Sequence, residues 1–426
     1  MKKVVVKGPA FSRSGYGEQT RFALRSLRSK EELVDLYLIN IPWGQTGFIV
    51  ETSEEREWME NLIRKTMLHV QQGGTFDASL QITIPIEWEK IAPVNIGYTA
   101  GIETTKVAPN WLGHGNEMDK IIVVSNHSKQ VYETSTCVAQ NNQTGEKIEN
   151  YRCETPIVTV GYPVRNFKPE KIEGLKLEHD INFLVISQWG IRKNLENTIK
   201  WFVEEFKNDE VGLVLKTNIA SDCRIDREHT TGRLRQFLAS HADRKCKIYL
   251  LHGSLTEGQL TSLYQHKQIK ALINIAHGEG FGLPLFEAAY NGLPLVTVPW
   301  SGQSDFIYAL NKNGKMRPHI AKVDYTMQPV QPEAVWENVI EADAMWAYAD
   351  EKSYKQQLRE VYKSPQRFAA QAKKLKKAIL KSCGEEDMYN EFVTAFWPTS
   401  WGPIEKASEV FDVESWLGDL DLETHE

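Results

Sequence analysis

The 426-residue chain lacks any apolar run of the roughly 20 residues that a membrane-spanning helix needs. Its apolar beginning, Val4-Val5-Val6, stops at Lys7-Gly8-Pro9, which is too short for a secretory leader and reads as a first strand. Cysteine is scarce. The five residues stand at 137, 153, 223, 246 and 383 and form no Cys-x-x-Cys pair. That spacing signals neither a zinc site nor a disulfide framework, and free thiols in a reducing compartment are the simplest account. Positive charge is not in excess either: a net charge of −6 supplies no global field for a nucleic acid. A cytoplasmic enzyme is the expectation, and the sequons at Asn126 and Asn142 carry no meaning there.

What is present is alternation. The chain is too long for one ordinary core, so two domains are expected. Lys3–Lys7, Val34–Ile41, Ala78–Thr83, Val94–Thr99, Lys120–Val124 and Ile157–Val160 read as strands. Helical spacing falls at about Glu18–Leu27 and over Ser53–Val70, and Ser125 is placed to cap a helix carrying Val131 and Tyr132. A polar hairpin looks inserted between Cys137 and Cys153. Asn166–Asp180, charged and holding Pro169, reads as a linker. A second series then begins with strands at Ile181–Ser187, Val211–Lys216, Lys247–Leu251, Ala271–Ile275 and Pro294–Val298. Helices between them are read at Asn194–Phe206, Thr230–Leu238 and from the Thr256/Gln259 capping box onward. Helical segments at Glu333–Ala349, Glu351–Tyr362, Arg367–Lys381 and Glu386–Phe396 follow. The end, Glu405–Glu426, is acidic with scattered Trp and Leu. Two α/β series joined by a linker imply two Rossmann-like, doubly wound domains facing a cleft. The expected division is 1–165, a linker at 166–180, 181–385, and a terminal region at 386–426.

The most specific stretch is His277-Gly278-Glu279-Gly280-Phe281-Gly282-Leu283-Pro284-Leu285-Phe286-Glu287. Two carboxylates with seven residues between them flank a glycine turn at the carboxyl end of a strand, where parallel sheets bind ligands. The following Pro284–Tyr290 reads as a short helix, whose N-terminus favours anionic groups. The string resembles the Glu-x7-Glu motif of family 4-like retaining glycosyltransferases of the GT-B fold. That resemblance implies a GT-B architecture, with Glu279 beside the donor sugar and Glu287 on the ribose of the nucleotide. It also implies that the last helix, Glu386–Phe396, crosses back to the N-terminal domain.

Other segments are placed by the same resemblance. Ser187–Asn194 is similar to the family's Gly-Arg-x-x-x-x-Lys segment, which holds the donor diphosphate. Lys193 falls on the lysine position, while Gln188 occupies the arginine position and cannot neutralise a phosphate; Arg192 is the nearest substitute. Lys216 at a strand end is a weaker candidate for the same work, and a solvated strand-end lysine is the alternative. His252 sits where the family contacts the base. Gly15 and Gly17 precede the first helix, near the donor phosphate and acceptor. The amides of Gly280, Phe281, Gly282 and Leu283 border the leaving group. Glu103 is the acid–base candidate where relatives carry a cleft histidine that this chain lacks. His114 and His127 read as ordinary surface or helix-start residues, and Ser301–Asp305 as cleft rim.

The implied reaction moves a sugar from a nucleotide diphosphate sugar, UDP- or GDP-linked, to an acceptor hydroxyl. Configuration is retained and no metal is required. Asp419-Leu420-Asp421 matches the metal-binding pattern of the other glycosyltransferase fold, but it lies in the acidic tail without a strand and reads as coincidence. Ile96–Ser125 also resembles uncharacterised glycosyltransferases encoded by tailed bacteriophages, whose setting would be the host cytoplasm. Hydroxymethylated pyrimidine in DNA therefore joins glycans and small molecules as an acceptor class. Two other classes stay open: a nucleotide-sugar-binding protein without turnover, and a GT-B phosphorylase or epimerase.

Overall fold

A computed structural model describes residues 1–140, 145–311 and 313–404. The first half holds strands β1 (Lys2–Gly8), β2 (Val34–Asn40), β3 (Ala78–Gln81), β4 (Val94–Thr99) and β5 (Lys120–Val123). The hairpin β6 (Cys137–Gln140) and β7 (Lys147–Tyr151) follows, then β8 (Ile157–Thr159). Helices α1 (Gly15–Arg28), α2 (Glu54–Gln71), α3 (Pro109–Asn116) and α4 (Asn126–Thr134) lie between them. Six of these strands form one parallel sheet in the order β2-β1-β3-β4-β5-β8. Val4, Val5 and Val6 are all fully buried, as expected for a strand covered on both faces.

No helix or strand occupies 160–181. The second half contains β9 (Asn182–Ile186), β10 (Gly212–Lys216), β11 (Lys247–Leu251), β12 (Ile269–Asn274), β13 (Leu295–Thr297), the hairpin β14 (Tyr308–Leu310) and β15 (Met316–Pro318), and β16 (Ala321–Lys322). Its sheet runs β11-β10-β9-β12-β13-β16, all parallel. This is the dinucleotide-fold order, which reverses direction between β9 and β12. Helices α5 (Leu195–Glu205), α6 (Arg224–Leu238), α7 (Glu257–Tyr264) and α8 (Leu283–Asn291) intervene. The Thr256/Gln259 capping box is formed in full, and Ser125 caps α4 through the amide of Ser128.

Three readings need correction. The helix expected at Glu333–Ala349 is absent. Met345–Ala349 is instead strand β18, paired antiparallel with β17 (Tyr325–Pro329). Valine, isoleucine and tryptophan at 335–340 imitate helical spacing, but pairing with a strand some 20 residues earlier decides the conformation. The helix expected from Thr230 begins at Arg224, because the Cys223 thiol caps it at the amide of Asp226. Gly15 and Gly17 are not a turn before α1 but its first residues, with Ser14 as cap. Gly17 is required there, since a Cβ would sit 1.9 Å from the carbonyl oxygen of Ser12.

Helices α9 (Glu351–Lys363), α10 (Pro365–Ser382) and α11 (Glu385–Phe396) complete the fold. α11 packs on α1 and β5, with Phe392 against Phe22 and Tyr98. Lys120 at the start of β5 donates to the carbonyls of Ala395 and Trp397. The last described helix of the chain thus completes the core of the first half. The acidic tail, including Asp419-Leu420-Asp421, lies outside the described residues.

Candidate active site

Glu279 and Lys193 meet at the point where the second sheet reverses its strand order. Lys193 follows β9 and Glu279 follows β12, the two strands that flank the crevice. The Lys193 ammonium lies 2.7 Å from both carboxylate oxygens of Glu279. Asn274, the last residue of β12, donates to the same carboxylate at 2.9 Å, and Arg192 approaches it at 3.3 Å. The Glu279 amide donates to the Ser301 hydroxyl. Ser301 holds a positive φ of 67°, a conformation that a non-glycine residue keeps only where its surroundings enforce it.

The charges are mutually dependent. Burial works to raise the Glu279 pKa, but Lys193 and Arg192 outweigh it and hold the carboxyl at about 2. Burial and the neighbouring Arg192 lower the Lys193 pKa against the pull of Glu279. Arg192 is held protonated, because Glu103 and Glu279 overcome its desolvation.

Glu103 comes from the other half. It lies in the loop after β4, and its carboxylate is 3.4 Å from Arg192. Backbones also meet here. A Cβ on Gly278 would fall 2.0 Å from the Glu103 carbonyl oxygen, and one on Gly280 1.9 Å from that of Ala100. Ser125, the α4 cap, donates to the Gly280 carbonyl at 2.6 Å. Glycine in this loop therefore allows the two halves to touch across the cleft. The arm formed by β17 and β18 closes one side. Thr105 exchanges two hydrogen bonds with Met345, Lys106 pairs with Asp343, and Trp111 donates to the Asn338 carbonyl. His277 stacks on Trp346 and bonds the Ala347 carbonyl, tying the arm to the Glu279 loop.

The remaining residues divide into groups. Gly282 caps α8 with φ of 92°, and Leu283 is the first residue of that helix. The amides of Gly280, Phe281 and Gly282 donate to no group among the described residues. The Phe281 ring, by contrast, is core, packed on Tyr162, Phe286 and Phe306. Gln188 donates to the Ile219 carbonyl and across the cleft to that of Gln45. Lys216 ends β10, half-buried near Arg13 and Asp222, with a pKa lowered by burial and then by Arg13. Among the described residues its ammonium has no ion-pair partner. The His252 ring is committed to Asp226 at 2.7 Å. Asp226 in turn accepts the amides of Ile219, Ala220 and Ser221, so the pair braces the loop after β10. Burial opposes ionisation of Asp226, but these bonds hold its pKa far below the usual range.

Glu287 is not part of the Glu279 cluster. It lies half-buried on α8 and accepts from the Tyr264 hydroxyl at 2.6 Å. Burial, then the nearby Glu257, pushes its pKa up to about 8. Glu18 of α1 and Arg165 also act on it, and Arg165 bridges Glu18 and Glu257. Glu287 therefore faces the N-terminal end of α1, where Gly15 and Gly17 lie. Between those glycines Tyr16 bonds Thr99 and packs at a tilt on Trp43, ring centroids 4.3 Å apart. His114 ends α3. His127 begins α4 against Trp300, where burial lowers its pKa to about 4. Among the described residues no cluster of three His, Cys, Asp or Glu is arranged to hold a metal ion.

Solved structures share this fold. Sucrose-phosphate synthase from Thermosynechococcus elongatus superposes with a TM-score of 0.59 at 12% identity, covering 93% of this chain and 98% of that one. The fold is GT-B. Anabaena HepE in complex with UDP-glucose gives a TM-score of 0.58 at 9% identity, over 92% of this chain and 99% of its own. S. aureus TarM, at 14% identity and a TM-score of 0.46, matches 75% of this chain, which spans 55% of TarM's length. At such identities the likeness is one of fold. No known sequence family and no curated protein matches the chain by sequence.

Sequence reasoning missed Asn274, Asp226 and the β17–β18 arm as parts of this region. Asn274 sits five residues before Glu279 at the strand end, a position the motif itself could have flagged. The arm gave no local signal, because it acts through partners distant in sequence, and Asp226 ties the nearby amides of Ile219 to Ser221 to His252, 26 residues on.

Proposed function

We propose that this GT-B protein is a retaining glycosyltransferase that moves a sugar from a UDP-sugar to an acceptor hydroxyl. The observation that carries the reading is the buried Glu279 carboxylate gripped by Lys193 and Arg192 at the β9/β12 crevice, facing Glu103 of the opposite half. Residues 181–385 hold the donor and residues 1–165 receive the acceptor. The uridine choice is extended from HepE, whose solved complex contains UDP-glucose.

The chemistry breaks the bond between the sugar C1 and the diphosphate oxygen and forms one from C1 to the acceptor oxygen, whose proton passes to the departing diphosphate oxygen. Charge develops on the departing diphosphate. Lys216, which has no ion-pair partner among the described residues, together with Lys193, Arg192 and the amides of Gly280 to Gly282, stabilises it. This makes good the loss of cationic charge at Gln188. Glu279 holds the sugar. Its carboxylate stays ionised at any neutral pH, so it accepts hydrogen bonds from sugar hydroxyls and favours positive charge developing at C1. Glu287 faces the ribose from α8. Glu103, paired with Arg192, orients the acceptor. Its ion pair suits holding a hydroxyl better than abstracting a proton. Retention of configuration rests on the Glu-x7-Glu resemblance. The reading requires no metal ion.

A thermal-shift screen of UDP- and GDP-sugars, followed by mass spectrometry with DNA, lipid and saccharide acceptors, tests the proposal. A UDP-sugar should raise the melting temperature, and a sugar-sized mass should appear on one acceptor class. If no nucleotide sugar stabilises the protein, the reading fails. Stabilisation without transfer to any acceptor would mark a binding protein, and sugar release dependent on inorganic phosphate a phosphorylase. Glu287→Ala should weaken donor binding at least tenfold.

A further inference from the structure

Helix α10 presents an unbalanced basic face. Its buried side, Phe368, Ala372, Leu375 and Ile379, packs towards α8. Its outer side carries Lys373, Lys374, Lys377 and Lys381, all exposed. Among the described residues none of the four has an ion-pair partner, while Arg367 in the first turn is neutralised by Glu360. Lys373, Lys377 and Lys381 repeat every four residues, which stacks like charges on one stripe and weakens an isolated helix. The surface is not simply polar. Leu380 on the same helix is 43% exposed. Beside α10 lies the β14–β15 hairpin, where the cross-strand pair Leu310 and Met316 is 63% and 58% exposed and flanked by Lys315 and Arg317. Exposed aliphatics ringed by unpaired cations fit a partner that is both acidic and apolar.

The chain carries such a segment. Residues 405–426 contain eight carboxylates and one lysine, interspersed with Phe411, Trp416, Leu417, Leu420 and Leu422. The segment's net charge of −7 exceeds the −6 of the whole protein, so the remaining residues sum to +1. We propose that the acidic segment 405–426, which lies outside the described residues, docks on the lysine face of α10 and the Leu310–Met316 pair beside it.

Connectivity permits this. From the end of α10 to Ile404 the chain runs through α11 and about ten further residues, so the two points are at most about 50 Å apart. Twenty-two residues extend to roughly 70 Å. The tether also places the segment at a millimolar effective concentration near the face, an advantage that a free polyanion lacks. A nucleic acid would match the lysines but not the three aliphatics. The surface is separate from the Glu279 cluster, so the proposal stands apart from the donor reading.

Zero-length carbodiimide coupling of the full chain, read by peptide mass spectrometry, tests it. Carboxylates of 405–426 should become amide-linked to Lys373, Lys374, Lys377 or Lys381. The Lys355–Glu204 pair, 2.7 Å apart, serves as internal control. The links should fall at least fivefold at 0.5 M salt and disappear in Lys373→Glu/Lys377→Glu, while the thermal shift given by a nucleotide sugar stays unchanged. A 1:1 mixture of isotopically light and heavy full chains should give links only within chains. Tail links scattered over other lysines, links between chains, or no tail links while the control forms would each overturn the proposal. So would full chain that sediments with phosphatidylglycerol vesicles through these lysines and shows no tail links.

Discussion

Glu279 stays charged inside the protein only because Lys193, Arg192 and Asn274 surround it, and that dependence should be visible as a function of pH. Its folded pKa of about 2 lies below its ordinary 4.5, so its contribution to stability is present above pH 4.5 and is lost as the pH falls towards 2. A shift of that size corresponds to about 3 kcal/mol. Urea midpoints measured from pH 2.5 to 7 should therefore decline more steeply on the acid side in wild type than in Glu279→Gln. Glu287 behaves in the opposite sense. Its folded pKa of about 8 lies above the ordinary value, so stability is fully present below pH 4.5 and is lost as the pH rises through 8. Glu287→Gln should match wild type in melting temperature near pH 4 and exceed it at pH 8.5. Equal melting temperatures at both pH values would show that Glu287 is not strained by Glu257. The two glutamates of the motif, alike in sequence, thus occupy opposite electrostatic environments.

At the scale of elements, the glycine loop after β12 and the β17–β18 arm act as one device. Gly280 permits contact with Ala100 across the cleft, and no side chain fits between them. Gly280→Ala should leave each sheet folded, with unchanged circular dichroism, yet increase the radius of gyration in solution scattering and lower kcat at least a hundredfold. Trp346 is fully buried in the arm and stacks on His277. Trp346→Ala should destabilise the protein by about 3–5 kcal/mol in chemical denaturation. It should also raise KM for the donor, because His277 lies two residues from Glu279. A variant that lost stability with KM unchanged would mean that the arm does not brace the loop.

The whole molecule is bound together by a helix that crosses between its halves. α11 follows the second sheet in sequence but buries Phe392 and Phe396 among residues of the first. Calorimetry should therefore show one unfolding transition, and Phe392→Ala should lower the stability of both halves together by about 3–5 kcal/mol. Two resolved transitions would contradict this coupling. Much of this organisation was legible in the linear chain. Strand and helix periodicity, the Thr256 capping box and the Pro284 helix start are local, and local propensity placed them nearly at their observed bounds. The Glu-x7-Glu resemblance marked Glu279, and the separate resemblance of Ser187–Asn194 marked Lys193; both follow carboxyl strand ends. Other features had no local cause. Met345–Ala349 is a strand because β17 is available to pair with it, and the His252 ring, just after β11, faces Asp226 in the first turn of α6. The separation of Glu287 from Glu279 follows from α8 turning one carboxylate towards α7 while the loop keeps the other at the crevice. By itself the sequence determined which elements form and which residues can carry charge at their ends, because those depend on neighbours within a few positions. The tertiary structure alone decided which charges meet, and with that which are stabilised, because Coulomb and desolvation energies depend on distance and burial rather than on order along the chain.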